Sequence, residues 1–159
     1  MNNIAIYPGS FDPCTRGHLD IIERSARIFD KVIVAVLVNS GKNPTFTLEE
    51  KIKFLEMSTT HLKNVEICGF NGLLAEFAEE KKAKVIVKGL RAVSDFEYEF
   101  QMSLTNRKLN PDVETLFMTT TAENMYLSSS IVREIASLGG DIDGMVPEVI
   151  KDLIYKKYQ

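Results

Sequence analysis

Tryptophan is absent from this 159-residue chain, and cysteine and histidine occur only twice each. Cys14 and Cys68 are too few for a disulfide framework or a zinc site, and such sparing use suits a reducing compartment. No apolar run reaches the ~18 residues of a membrane span, and the N-terminus lacks a signal-peptide pattern. An excess of positive charge is missing too: 19 Lys and Arg against 22 Asp and Glu give a formal net charge of −3. With no global positive field, nucleic acid is not an expected partner, and any anionic ligand must be held by local cations. Internal repeats, low-complexity stretches and long linkers are lacking as well. What remains is ordinary, 45% hydrophobic and 26% charged. The expectation is one soluble, cytoplasmic domain spanning 1–159, large enough to bury a core.

Short apolar runs alternate with amphipathic segments along the chain. Strands are expected at 3–8, 31–38, 65–70, 84–88 and 113–119. They are rich in Val and Ile with little polar alternation, as in parallel strands buried on both faces. Helices are expected near 17–29, 48–61, 72–82, 95–108, 129–138 and 147–157. Thr47-x-x-Glu50 and Ser94-x-x-Glu97 have the form of capping boxes. Gly139-Gly140 reads as a helix stop and Pro147 as a first-turn residue. Phe77, Phe96, Phe100 and Met102 read as core stripes. Even so, the segments 73–77 and 96–100 carry more apolar surface near helix starts than one small sheet covers, which points to an oligomer. Strands alternating with helices imply an α/β, Rossmann-like, doubly wound five-stranded parallel sheet of order 3-2-1-4-5 with helices on both faces. Its strand order reverses between strands 1 and 4, so functional residues belong after strands 1, 4 and 5.

They are found there. After strand 1 comes Gly9-Ser-Phe-Asp-Pro-Cys-Thr-Arg-Gly-His18, a tight polar loop leading into a helix. Neither the P-loop pattern G-x-x-x-x-G-K-[ST] nor the dinucleotide fingerprint G-x-G-x-x-G is present. A helix start supplies unpaired N–H groups and the positive end of a dipole, and His18 adds a donor toward the same anion. The plain alternative is that Thr15 caps the helix and His18 is incidental. After strand 4 comes Lys88-Gly89-Leu90-Arg91, two cations at the sheet edge, with Gly89 allowing a ligand to approach the backbone. Asp95 and Glu97 behind them complement the next helix dipole. After strand 5, three serines, Ser128 to Ser130, precede an apolar-periodic helix, more than one N-cap needs. Lys42, in the loop after strand 2, lies within reach of the crevice. Cys14 reads as packing, and His61 as a helix-end residue.

Thr15-x-Gly17-His18 resembles the [HT]-x-G-H signature of the nucleotidylyltransferase superfamily. The strings YPGSFDPCTRGHLDII, FTLEEK, KGLRAVSDFEYE and SSSIVRE, in this order and spacing, resemble the bacterial phosphopantetheine adenylyltransferases over essentially the whole chain. That resemblance implies transfer of AMP from ATP to 4′-phosphopantetheine, giving dephospho-coenzyme A and pyrophosphate, with Mg²⁺ as cofactor. It also implies a homohexamer, with coenzyme A as a candidate feedback ligand. By the same resemblance His18, Lys42, Arg91, Ser129 and Ser130 are catalytic. ATP would be bound by Ser10, Phe11, His18, Gly89, Leu90, Arg91, Glu99 and the run Asn124, Met125, Tyr126, Leu127, Ser128, Ser129 and Ser130. Ser10, Lys42, Leu74 and Lys88 would meet the phosphopantetheine. Three positions depart from the family pattern: Ser10 for threonine, Lys88 for arginine and Asn124 for an aromatic residue.

The chemistry fits this inventory. A phosphate monoester is already largely dianionic at neutral pH, so the nucleophile needs no general base, and no base–nucleophile pair stands out. In-line positioning and stabilisation of developing charge remain, and donors and cations supply both. No carboxylate cage for a metal is evident, so Mg²⁺ is expected on the ATP phosphates rather than on protein ligands. Two other readings stay open: a nucleotidylyltransferase with a different phosphate acceptor, and a non-catalytic nucleotide-binding sensor of the same fold.

Overall fold

The computed structural model describes residues 2–38, 43–91 and 93–159, with backbone alone at 93 and 94. Five strands, β1 (Ile4–Gly9), β2 (Lys31–Leu37), β3 (Val65–Phe70), β4 (Val85–Leu90) and β5 (Glu114–Thr119), form one sheet. Its order is β3-β2-β1-β4-β5, and every pairing is parallel. The helices are α1 (Arg16–Ile28), α2 (Leu48–Ser58), α3 (Leu74–Glu80), α4 (Val93–Leu109), α5 (Ser129–Ser137) and α6 (Lys151–Lys156). Alternation along β2 explains the two-sided core. Val32, Val34 and Val36 join Ile21 and Ile22 of α1, Leu55 of α2, Val132 of α5 and Ile154 of α6. Ile33 and Ala35 point the other way, into a cluster with Phe77 and Ala78 of α3. Successive strand residues face opposite sides, so a run of Val and Ile supplies both layers.

Local chemistry sets the helix ends. Thr47 caps α2, its hydroxyl accepting from the Glu50 N–H at 3.1 Å. The reciprocal half of that expected box is not made, because Glu50 pairs with Lys157 at 3.2 Å instead. Helix α4 begins at Val93, so the backbone of Ser94 lies inside its first turn and not at the N-cap position expected for it. Gly139 ends α5 at φ +75°. Its N–H meets the Ala136 carbonyl at 3.1 Å, and that of Gly140 meets Ile135 at 2.8 Å. This paired closure needs a left-handed residue, which glycine adopts without steric penalty. Pro147 precedes a 3₁₀ turn (Glu148–Ile150), and the last α-helix starts only at Lys151. The α2 helix stops at Ser58, leaving His61 beyond it in a turn, 3.9 Å from Glu23.

Phe77 is buried, as a core stripe requires, whereas Phe96, Phe100 and Met102 of α4 are exposed. Tyr98, Leu104 and Leu109 of the same helix are exposed too, as is Leu116 on the edge strand β5. Apolar groups are thus spread around α4, and the sheet covers only part of them. No helix among the described residues is long and apolar enough to cross a membrane.

Helix α1 provides a direct test of the packing. Ile22 is 0% exposed and Ile28 is 64% exposed. Ile22→Ala is expected to lower unfolding free energy by about 2–5 kcal/mol, the usual range for a buried isoleucine truncation. Ile28→Ala should stay within about 0.5 kcal/mol. Urea denaturation of the two variants checks this; similar losses would contradict the packing described.

Candidate active site

The crevice lies at the C-terminal edge of the sheet. β1 pairs with β2 over six residues but with β4 only at Ala5↔Val85 and Ile6↔Ile86. Beyond Ile6 the two central strands part, and a cavity of about 340 Å³ opens between them. Tyr7, Pro8 and Gly9 line one side of it, and Lys88 and Gly89 the other. Thr15, Gly17 and His18 at the start of α1, and Ser128, Ser129 and Ser130 at the start of α5, border the same space. The two helix starts expected from the sequence therefore converge.

His18 is held by a capping box. The Thr15 hydroxyl accepts from the His18 N–H at 3.3 Å, and the Thr15 N–H donates to His18 Nδ1 at 3.0 Å. A backbone N–H can only donate, so Nδ1 is the acceptor and the neutral ring carries its proton on Nε2. Phe11 packs edge-on against the imidazole, ring centroids 4.9 Å apart. Burial, then Arg91 and then Lys88 push the His18 pKa down to about 4. Protonating Nδ1 would also forfeit the bond from Thr15. His18 is thus a neutral Nε2–H donor near pH 7, and its Thr15 partnership goes beyond an incidental surface position.

The cations are organised by carboxylates. Lys88 lies 3.4 Å from Glu99, and Arg91 Nε lies 3.3 Å from Asp95. Arg91 also donates to the Leu127 carbonyl at 2.8 Å, tying the end of β4 to the segment before α5. The space left by Gly89 goes to the protein itself: an added Cβ would sit 3.3 Å from the Ile21 side chain. That glycine lets α1 lie close to the sheet. Burial first, then neighbouring Cys14, holds the Tyr7 phenol above its ordinary range, so it stays neutral. Cys14 is 1% exposed, with its thiol pushed up to about 12 by burial, in keeping with a packing role.

Each serine has a separate task. Ser128 caps α5, accepting from the Ile131 N–H at 3.1 Å. The Ser129 hydroxyl donates to the Pro13 carbonyl at 2.7 Å. Ser130 accepts from Arg133 at 3.2 Å. Helix geometry leaves the N–H groups of Ser129 and Ser130 without intrahelical acceptors, and these are the donors α5 can offer an anion.

Of the expected site residues, Ser10, Phe11, His18, Lys88, Gly89, Arg91, Glu99, Asn124, Leu127, Ser128, Ser129 and Ser130 line the crevice. Leu90, Met125 and Tyr126 do not; Tyr126 borders a separate groove with Arg16. Leu74 lines a second cavity of about 100 Å³, which shares Lys88 and Glu99 with the first. Lys42 lies outside the described residues. Asp12 and Arg133 lie outside the expected site residues. Arg133 carries a local signal, since a cation one turn into a helix opposes the dipole and calls for a nearby acceptor. Among the described residues no group of three His, Cys, Asp or Glu side chains is placed to hold a metal, and Asp95 and Glu99 are both ion-paired.

Nitrogen-15 NMR of the imidazole tests the geometry of His18. The ring should remain the neutral Nε2–H tautomer from pH 8 down to 5. With its folded pKa depressed, the unfolded chain takes up the proton first, so stability should decline as pH falls from about 6.5 toward 4. A ring that titrates near 6.5 would contradict the capping box.

Comparison with known proteins agrees with this geometry. Residues 6–135 match the family model described as Cytidylyltransferase-like. A phosphopantetheine adenylyltransferase of Clostridium botulinum (strain Eklund 17B) is 58% identical over 152 residues, covering 95% of this chain and 96% of that protein. One from Natranaerobius thermophilus is 60% identical, covering 96% and 94%. The fold is also that of a Vibrio parahaemolyticus protein assigned as a nicotinate-nucleotide adenylyltransferase, with a TM-score of 0.76 at 19% identity over 99% of this chain and 96% of that one. With the [HT]-x-G-H loop, the parted central strands and near-full-length similarity at this level, the chain belongs to the phosphopantetheine adenylyltransferases of the cytidylyltransferase-like family.

Proposed function

We propose that this chain transfers AMP from ATP to 4′-phosphopantetheine, forming dephospho-coenzyme A and pyrophosphate in the cytoplasm. The observation that carries the reading is the single crevice where His18, Lys88, Arg91 and the starts of α1 and α5 converge. An oxygen of the acceptor phosphate attacks the α-phosphorus in line, the bond to the β-phosphate bridging oxygen breaks, and pyrophosphate leaves. The attacking phosphate is dianionic near neutrality, so no side chain need remove a proton. His18 Nε2–H donates to the phosphoryl oxygens as charge builds on them, and the bond from the Thr15 N–H to Nδ1 keeps the proton on Nε2 for that purpose. The α5 N–H groups of Ser129 and Ser130, with Arg91, hold the phosphates from the other side. Lys88, and Lys42 by its place in the sequence, receive the acceptor phosphate. The second cavity, bordered by Leu74, Tyr98, Met102 and the buried Asn106, extends from Lys88 and Glu99. It offers an elongated acceptor arm both apolar wall and amide partners.

With Asp95 and Glu99 engaged by cations, the donor set suits Mg²⁺ carried on the triphosphate with water ligands retained. When bound there, the ion neutralises phosphate charge and orients the leaving group. Coenzyme A, which contains the product's pantetheine arm, is a candidate ligand of the same cavity and hence of feedback.

Pyrophosphate release with ATP across a panel of phosphate acceptors tests the reading, with 4′-phosphopantetheine expected to give the highest kcat/KM. His18→Ala should lower kcat by about 10²-fold or more with a smaller change in ATP KM, as for loss of an oxyanion donor. Lys42→Ala and Lys88→Ala should raise the acceptor KM selectively, and Lys88→Arg should be tolerated. Activity with another acceptor alone, or an intact kcat in His18→Ala, would reject the assignment.

A homohexamer is proposed as the working form, and the support is α4. Phe96, Tyr98, Phe100, Leu104 and Leu109 are exposed on it, and so many large apolar side chains left uncovered on one helix are best accounted for by burial against further copies of the chain. Light scattering at micromolar concentration should give about six times the 17.9 kDa chain mass; a monomer mass would refute it.

A further inference from the structure

We infer that Asp12 and Arg133 form a clasp that sets the spacing between the two helix starts of the active site, making both positioning residues for adenylyl transfer. Three segments meet at Asp12. Its carboxylate accepts the Phe46 N–H at 2.9 Å and the Thr45 N–H at 3.0 Å. Its carbonyl accepts Arg133 Nη1 at 2.6 Å, and the same nitrogen lies 3.8 Å from its carboxylate. The other arm of the Arg133 fork donates to Ser130 at 3.2 Å. One residue further along, the Pro13 carbonyl accepts the Ser129 hydroxyl at 2.7 Å. Consecutive carbonyls of the His18 loop thus receive two side chains from the first turns of α5, in a two-rung staple.

The surroundings make this staple stiff. Asp12 is 9% exposed, so its bonds form with little competition from water. Phe46, held by the carboxylate, is 1% exposed and packs edge-on against Phe54. The clasp is therefore anchored in the core beneath the sheet edge. On the other side, Phe11 joins Asp12 to the ring of His18. Arg133 fixes α5 against this loop, and with it the distance from the Ser129 and Ser130 N–H groups to His18. Charge-assisted bonds are the stronger kind, and a guanidinium reaches two acceptors at once. Neither Asp12 nor Arg133 need touch a reactant for this.

The inference rests on the reading of the crevice as the phosphate site, so the experiment separates the two. Steady-state kinetics with both substrates are measured at a temperature where circular dichroism shows each variant folded. Arg133→Met should lower kcat at least about tenfold, since misplacement by an ångström costs up to about a hundredfold, while KM for ATP stays within about threefold. Arg133→Lys, which can still reach the Asp12 carbonyl, should recover most of kcat. Asp12→Asn gives a second view: amide hydrogen exchange at Thr45 and Phe46 should speed up together with a fall in kcat. With His18→Ala defective, an unchanged kcat in folded Arg133→Met overturns the clasp. A collapse of ATP affinity with kcat intact also overturns it, because Arg133 would then be a direct nucleotide ligand. If His18→Ala is itself unimpaired, the reading of the crevice fails instead.

Discussion

The short pairing between β1 and β4 is the constraint on which the rest of the site depends. Both strands run parallel and both continue past Ile6 and Ile86, yet they share only two residue pairs. The connections that leave their C-terminal ends run in opposite senses, from β1 toward β2 and from β4 toward β5, so neither covers the gap there. The backbone of Tyr7 to Gly9 and of Lys88 to Gly89 therefore borders an opening instead of a ladder. The donors and cations that line the cavity are attached at that opening. The His18 loop follows β1, Arg91 follows β4, and the serines follow β5. Gly89 contributes by being small, which lets Ile21 draw α1 down onto the sheet and brings the helix start to the rim.

Electrostatically the crevice combines a neutral donor with ion-paired cations. A protonated histidine would attract phosphate more strongly, but it would lose the bond from the Thr15 N–H and sit against two cations. Keeping the ring neutral fixes its tautomer and leaves Nε2–H as a donor that does not titrate near pH 7. The cations follow a complementary logic. Glu99 and Asp95 hold Lys88 and Arg91 in place, and cations fixed in this way need less reorganisation to meet an anion.

The positions of the strands and the two polar helix starts were legible in the sequence because they rest on local patterns; buried parallel strands, for one, show as Val and Ile runs. The sheet order was legible through the usual half-Rossmann arrangement of alternating strands and helices, whose reversal brings both helix starts to one crevice. The clasp was not legible in this way. Asp12 meets Thr45 33 residues away and Arg133 121 residues away, and no periodicity reports contacts of that span. The three serines show the same limit: the sequence marks them as more than a cap, but only the fold assigns one hydroxyl to Pro13 and another to Arg133. On α4 the sequence misled in part. Apolar residues there read as core stripes, yet Phe96, Phe100 and Met102 are exposed, because residue type alone does not report which side of a helix the sheet covers.

Phe11 shows how the loop sustains this arrangement. Its φ of +47° lies in the left-handed region, which costs a residue with a side chain roughly 1–2 kcal/mol. Such a conformation persists only where its surroundings over-determine it. Here the ring is buried edge-on against Tyr7 at 5.3 Å and against His18 at 4.9 Å. The next residue is Asp12, bonded to three other groups. Turning Phe11 to an ordinary φ would withdraw the ring from His18 or pull Asp12 from its partners. The imidazole is thus fixed on one side by Thr15 through hydrogen bonds and on the other by an aromatic edge whose backbone strain is held by the clasp. Proton position, ring orientation and the spacing to α5 all follow from that one short loop between β1 and α1.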